Sequence, residues 1–251
     1  MSVSIVIPTF ERPNLLRRLL QSIQAQTYSE YEVIVVDDHS TNYDDYVVLS
    51  DQYSRVFSDF TFLRNETNHG APHSRNRGIL KAKYSLVALV DDDDEWLPQK
   101  LERQVEVFDC SPDHVGLVYT WTDIVQGEQR VPFYRSEIQG NCLSEILHDC
   151  FIPSPSVMVR KKAVLDVECF DERLPSCQDW DLWTRILARG YEVRVVPEVL
   201  TLYHKQESDS IGTSARARSG YTMYYRKHFW KLLRFGEFRH LVRYSRLVTE
   251  L

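Results

Sequence analysis

Five acidic residues follow one another without a break at Asp91-Asp92-Asp93-Asp94-Glu95. Adjacent carboxylates disfavour one another's ionisation, and a divalent cation placed among them relieves the repulsion. Hard cations take oxygen ligands, and Mg²⁺ is usually held by one or two carboxylates together with substrate phosphates. The stretch therefore reads as a metal–diphosphate site. A second reading stands beside it: a solvated acidic turn ahead of a helix beginning at Pro98, where the helix dipole favours negative charge.

The elements that must position this chemistry can be read on either side of it. The apolar run Tyr84 to Val90 is short, aliphatic and uncharged up to the acidic group, the pattern of a strand buried on both faces. Val3 to Ile7 reads as a first strand stopped by Pro8. Leu15, Leu16, Leu19, Leu20 and Ile23 form one stripe of a helix, and Glu32 to Val36 a second strand ending in Asp37-Asp38-His39-Ser40. Strand, helix and strand at this spacing make a right-handed βαβ unit. Two strands thus end in polar or acidic loops, and in open α/β sheets ligands bind beyond the carboxyl ends of the strands.

Further along, the pattern predicts a helix over Asp44–Tyr53, a strand over Phe60–Leu63, a loop Asn65–Gly70 and a helix over Ala71–Ala82 carrying Arg75 and Arg77. Helix Pro98–Cys110 and strand Val115–Thr122 follow. Asp123 to Pro155 has weak periodicity and reads as an insertion or lid around a helical piece at Cys142–His148. A strand at Ser156–Val159, a helix at Lys161–Val167, a helix ending at Gly190, and strands Tyr191–Val196 and Val199–His204 complete the pattern.

Composition narrows the classes. The 251 residues suffice for one large domain or two fused lobes, and 43% hydrophobic with 26% charged residues is ordinary for a globular protein. No apolar run reaches bilayer length, and no basic segment with a hydrophobic core opens the chain, so a cytoplasmic location is expected. Five cysteines without a CxxC pair argue against a disulfide framework or a zinc ribbon. The net charge of −6 disfavours nucleic acid as a partner. Tyr221 to Leu251 is nevertheless basic, with seven Lys/Arg against two Glu. There is no GxGxxG and no GxxxxGK[ST], so any nucleotide must be held without those loops.

Five motifs fall in one order: Val3-Ser4-Ile5-Val6-Ile7-Pro8-Thr9-Phe10; Val35-Val36-Asp37-Asp38-His39-Ser40; Asn68-His69-Gly70 with Arg75-Asn76-Arg77-Gly78; Asp91 to Asp94; and Gln178-Asp179-Trp180-Asp181. Over about residues 3–205 the chain resembles a family 2 glycosyltransferase. The resemblance implies an α/β fold of the GT-A type: a Rossmann-like, mostly parallel central sheet with helices on both faces and a smaller acceptor-side subregion. On this basis residues 1–98 form the nucleotide-sugar half, 99–215 the acceptor half and 216–251 a basic, aromatic tail.

The resemblance also implies inverting transfer from a nucleoside diphosphate sugar, usually UDP-linked, with Mn²⁺ or Mg²⁺. Carried over by motif, Pro8, Thr9, Glu11 and Asp38 grip the nucleoside, with Asp38 accepting from the uracil imide. Gly70 and Arg75 lie near the base or phosphates. Asp91 and Asp93 hold the metal, Asp92 faces the donor ribose or sugar, and His204 approaches the metal or diphosphate. Asp179 is the general base, with Gln178 standing where Glu is common in the family and Asp181 as the rival.

The chemistry requires two carboxylate sites. An acceptor hydroxyl attacking the anomeric carbon needs a base within hydrogen-bond reach on the face opposite the diphosphate. The departing diphosphate gathers charge that a fixed cation stabilises. Structural alternatives remain for each residue: Asp179 as a helix N-cap, Asp38 capping a turn with Ser40, Arg75 and Arg77 as solvated helix charges, His204 as a satisfied structural histidine, and Trp96, Trp180 and Trp183 as core. The basic tail either packs as ordinary helix or lies on an anionic leaflet, which would suit a lipid-linked acceptor. A nucleotidyltransferase and a non-catalytic nucleotide-sugar-binding module are the competing classes. The former usually carries a Gly-rich basic loop after its first strand, which Pro8-Thr9-Phe10-Glu11 is not.

Overall fold

The computed structural model describes residues 1–127, 129–204 and 215–235. In chain order the first half comprises β1 (Val3–Thr9), α1 (Pro13–Gln24), β2 (Tyr31–Asp37), α2 (Tyr43–Tyr53), β3 (Phe60–Arg64), α3 (Ala71–Lys81) and β4 (Leu86–Leu89). The second comprises β5 (Asp94–Trp96), α4 (Lys100–Asp109), β6 (Val115–Gln126), β7 (Gln129–Tyr134), α5 (Leu143–His148), a 3₁₀ turn (Ser154–Ser156), β8 (Met158–Arg160), α6 (Lys161–Leu165), α7 (Gln178–Ala188), β9 (Glu192–His204) and α8 (Ala215–Arg234).

One sheet runs through both halves in the order β3-β2-β1-β4-β8-β6-β9-β5, with β7 on β6. Its first four strands are parallel, and β1 sits between β2 and β4 with Ile5 opposite both Val33 and Ala88. All seven residues of β1 are buried, because helices cover both faces and leave no solvated side. Core residues divide accordingly: Val6, Ile34, Val36 and Leu89 pack on one face, and Ile5, Ile7, Val33 and Val35 on the other. Helix α3 crosses β1 so closely that a Cβ on Gly78 would lie 2.4 Å from Val6 Cγ1. That approach sets the height of the helix, and with it the reach of Arg75 over the strand ends.

The second half departs from the expected pattern at three places. Asp94–Trp96 is a strand, antiparallel to β9 with Asp94 opposite Tyr203, and the next helix begins at Lys100. The acidic run is therefore only partly loop. Trp96 draws the chain into the core, where its indole N–H donates to the Pro155 carbonyl at 2.9 Å. The two expected late strands are one strand of 13 residues, β9. Pro197 is absorbed where the pairing with β6 shifts register between Val196 and Val199, the kind of irregularity that tolerates a residue without an N–H. Within the irregular Asp123–Pro155 region, β7 forms a hairpin with β6. It was obscured in the sequence because its apolar members, Val131 and Phe133, face solvent and Pro132 interrupts it.

Helix α8 packs against α7. Tyr224 stacks on Trp180 with ring centroids 4.1 Å apart and its hydroxyl lies 2.9 Å from Thr184 Oγ1. The buried Asp181 carboxylate pairs with Arg185 at 2.7 Å, Lys227 at 2.9 Å and His228 at 2.8 Å. The basic tail thus packs as ordinary helix on its inner face. Its outer face presents Trp230, which is 77% exposed, together with Leu233 and Phe235. Phe238, Leu241 and the rest of residues 236–251 lie outside the described residues. Among the described residues no helix is long and apolar enough to cross a membrane.

Candidate active site

A cleft of about 640 Å³ opens over the carboxyl ends of β1, β2 and β4. One wall carries Pro8, Thr9, Arg12 and Asp38 from the loops after β1 and β2, and Ser74 and Arg75 from α3. Asp91, Asp93 and Asp94 form its floor, and Asp179 and Trp180, at the start of α7, stand on the opposite side. Thr122, Phe133, Tyr134 and Tyr203 close the remaining flank.

Arginines meet the acidic run. Arg75 Nη2 lies 2.5 Å from Asp91, and Arg12 reaches Asp92 at 2.8 Å and Asp93 at 2.7 Å. Arg18 donates to the Asp93 backbone carbonyl. Arg12 carried no role in the sequence reading. The signal for it was its place three residues beyond β1, the strand that neighbours β4, facing a concentration of negative charge.

Asp92 does not turn toward the cleft. Its side chain is fully buried and accepts from Thr9 Oγ1 at 2.6 Å, so it holds the β1 loop against the acidic loop. Burial pushes its carboxyl up to about 7, the neighbouring Asp93 and Asp91 adding to the rise and Arg12 and Thr9 opposing it. Asp94, also buried, is held well above the ordinary carboxylate range by burial first and then by Asp91, Asp93 and Asp92. Among the described residues its Oδ1 has no hydrogen-bond partner, although the residue lines the cleft.

The donor set fits a hard cation. Asp91 and Asp93 line the cleft, each paired with an arginine, beside a buried Asp94 oxygen that has no hydrogen-bond partner among the described residues. Among the described residues no three or more His, Cys, Asp or Glu side chains converge as a protein cage. Two carboxylates are the share a protein commonly contributes when substrate phosphates complete the shell. His204 does not line the cleft; its Nε2 lies 2.9 Å from Glu95. Burial holds its pKa below the ordinary value, and Glu95 and Asp93 act in the opposite direction, so it stands within electrostatic reach of the acidic floor.

Asp38 borders the cleft, but its carboxylate fastens the following loop, accepting from Asn65 Nδ2 at 2.6 Å, His69 N at 3.0 Å and Gly70 N at 2.6 Å. The cap to Ser40 expected of Asp38 is made instead by Asp37. Gly70 serves through that N–H and a φ of 90° that favours glycine. Glu11 is turned away, tying the β1 loop to the β2 loop through Thr41 N at 2.7 Å. Arg77 is no solvated charge: it donates to the Arg64 carbonyl at 2.5 Å and to Asn65 Oδ1 at 2.7 Å.

Asp179 is the second residue of α7, and its Oδ1 accepts from Trp180 N at 2.8 Å. Burial raises its pKa, opposed by the Trp180 N–H and by Arg75 and assisted by Asp91. Base candidate, Arg75 and acidic floor are therefore in electrostatic reach of one another. Asp181, the rival, is fully buried in its pairs with Arg185, Lys227 and His228 and does not face the cleft.

The model of glycosyl transferase family 2 matches residues 4–167. The chain belongs to glycosyl transferase family 2. Curated relatives of the family include WcaA of Escherichia coli K12, named for colanic acid biosynthesis, which is 30% identical over 90% of this chain and 81% of its own. AmsB of Erwinia amylovora, named for amylovoran biosynthesis, is 28% identical over 81% of this chain and 69% of its own. Among solved structures, Staphylococcus aureus TarS 1–349 in complex with UDP-GlcNAc superposes with a TM-score of 0.74 at 22% identity, covering 89% of this chain and 65% of that one. The mannosyltransferase PcManGT of Pyrobaculum calidifontis, in complex with GDP-Man and Mn²⁺, gives 0.71 at 18% identity over 90% and 64%. These likenesses establish the GT-A fold. The family match ends before α7, so Asp179 and α8 lie beyond it.

Proposed function

We propose that the protein is an inverting glycosyltransferase of surface polysaccharide assembly. It moves a sugar from a nucleoside diphosphate donor, UDP-linked in this reading, to a hydroxyl of a saccharide or lipid-linked saccharide. The observation that carries the proposal is the cleft's pair of carboxylate sites, Asp91/Asp93 on the floor and Asp179 across from them, with Arg75 acting on both. The names of WcaA and AmsB support the pathway class, and the ligands of TarS and PcManGT support the donor class.

Pro8, Thr9 and Asp38 border the nucleoside end of the cleft, and Arg12 and Arg75 bring positive charge to the diphosphate. Asp91 and Asp93 would hold Mn²⁺ or Mg²⁺, which when bound neutralises charge gathering on the departing diphosphate. Asp179 takes the acceptor's proton, and its raised pKa makes it a stronger base than an exposed aspartate. One displacement with one base inverts the anomeric centre. The lipid-linked form of the acceptor is favoured by α8, which has no acidic residue between Ala215 and Arg234 and turns Trp230 outward beside Arg226 and Arg234, a composition suited to peripheral contact with an anionic leaflet at the cytoplasmic face.

The test is thermal unfolding against a panel of UDP- and GDP-sugars, with and without Mn²⁺. A ligand at about 100 times its Kd adds about 2.7 kcal/mol, or roughly 5–10 °C in a chain of this size. One UDP-sugar is expected to stand out and to require Mn²⁺. A panel in which no sugar nucleotide moves the transition removes the donor reading.

A further inference from the structure

The flank of the cleft formed by the β6–β7 hairpin carries an aromatic row. Phe133 lines the cleft and is 47% exposed. Its ring centroid lies 4.3 Å from that of Tyr134 and 6.1 Å from that of Tyr203, the latter pair inclined by only 27°. The row has a direction. Tyr203 sits opposite Asp94 of the acidic floor. At the other end Tyr134, its phenol pushed up chiefly by burial, is also in electrostatic reach of Asp179 and Tyr221 across the cleft. Phe133 stands between them.

The hairpin is built to hold this shape. Arg135 pairs with Asp123 at 2.5 Å and lies over the Trp121 ring at 5.1 Å, while the Trp121 indole N–H donates to the Ser136 carbonyl at 2.9 Å. We propose that Phe133, backed by Tyr134 and Tyr203, is the platform on which a saccharide ring of the acceptor stacks. This rests on the glycosyltransferase reading above and adds to it the residue that receives the acceptor. A pyranose has a face of C–H bonds whose hydrogens carry partial positive charge, and an aromatic ring presents a negative π face. A sugar laid on Phe133 directs its hydroxyl edge along the row toward Asp179, where the base must find it.

The test is ligand-observed NMR titration of methyl glucoside, galactoside, mannoside and N-acetylglucosaminide into the full chain loaded with UDP and Mg²⁺. UDP affinity is measured on the same samples. At least one glycoside is expected to show saturation transfer to its ring C–H protons. Phe133→Leu, apolar but without a π face, is expected to weaken its binding about tenfold, and Phe133→Trp to hold it within about twofold. Undiminished glycoside affinity in Phe133→Leu overturns the platform. So does a wild-type protein that binds UDP but none of the glycosides. A wild type that does not bind UDP removes the donor reading first, and the platform with it.

Discussion

Arg12→Met keeps the aliphatic stem and removes the guanidinium that stands 2.8 Å from the buried Asp92. With Arg12 present, Asp92 titrates at about 7 in the metal-free protein, well above the ordinary 3.8. A carboxyl raised in this way weighs against the native state once it must ionise. Stability falls as pH climbs from about 4 to about 7 and then levels, because beyond that point Asp92 is ionised in both folded and unfolded chains. Without Arg12 the folded value rises further and the levelling moves to higher pH. Wild-type and variant stability curves should therefore run together below about pH 6 and separate above 7 by about 1.4 kcal/mol per pH unit. At about pH 8.5 the gap reaches at most about 2 kcal/mol, a melting difference of no more than roughly 4–8 °C, because Arg12 is partly exposed and its effect is screened. The Arg12–Asp93 pair adds little, since both groups reach solvent. The assay is thermal unfolding in EDTA at both pH values. A shift of equal size at each, or none at the higher, would refute the assignment of Arg12 as the group that holds the charge of Asp92.

Two other perturbations probe different parts of the molecule. Lys100 is fully buried with its amine 2.8 Å from Gln104 Oε1 and 4.0 Å from the Trp96 ring centroid, and burial holds its pKa well below the ordinary value. Below the unfolded lysine value the unfolded chain binds a proton the folded one refuses. Lys100→Met should therefore raise the melting temperature at neutral pH, with the gain shrinking toward about pH 10; a variant less stable at both would contradict the buried neutral amine. Trp230→Glu on the outer face of α8 should reduce sedimentation with anionic liposomes at low salt, and full-length protein that never sediments would end the membrane contact.

Much of the first half was legible because strands such as Val3–Thr9 are buried on both faces and α1 is strongly amphipathic, with its Leu16, Leu19, Leu20, Ile23 stripe. The acidic floor and the start of α7, which carries the candidate base, were legible as motif. What escaped was set by pairing between distant segments. Asp94–Trp96 becomes a strand only because Thr201–Tyr203 runs beside it. Arg12 and Asp92 gained roles through contacts spanning 80 residues, which no local pattern encodes. The β7 hairpin was hidden because an edge strand with exposed Val131 and Phe133 has no buried face to announce it.

The central claim is that Asp179 takes the acceptor's proton across the cleft from the Asp91/Asp93 floor. The most direct measurement is UDP release from the best donor of the panel, with acceptor, by wild type and Asp179→Asn at equal donor occupancy, in Mn²⁺ and in EDTA. Mn²⁺-dependent release is expected from wild type and, in Asp179→Asn, a loss of about 10²–10⁴-fold with donor binding intact. Wild-type release undiminished in EDTA, or full release by Asp179→Asn, would contradict that claim.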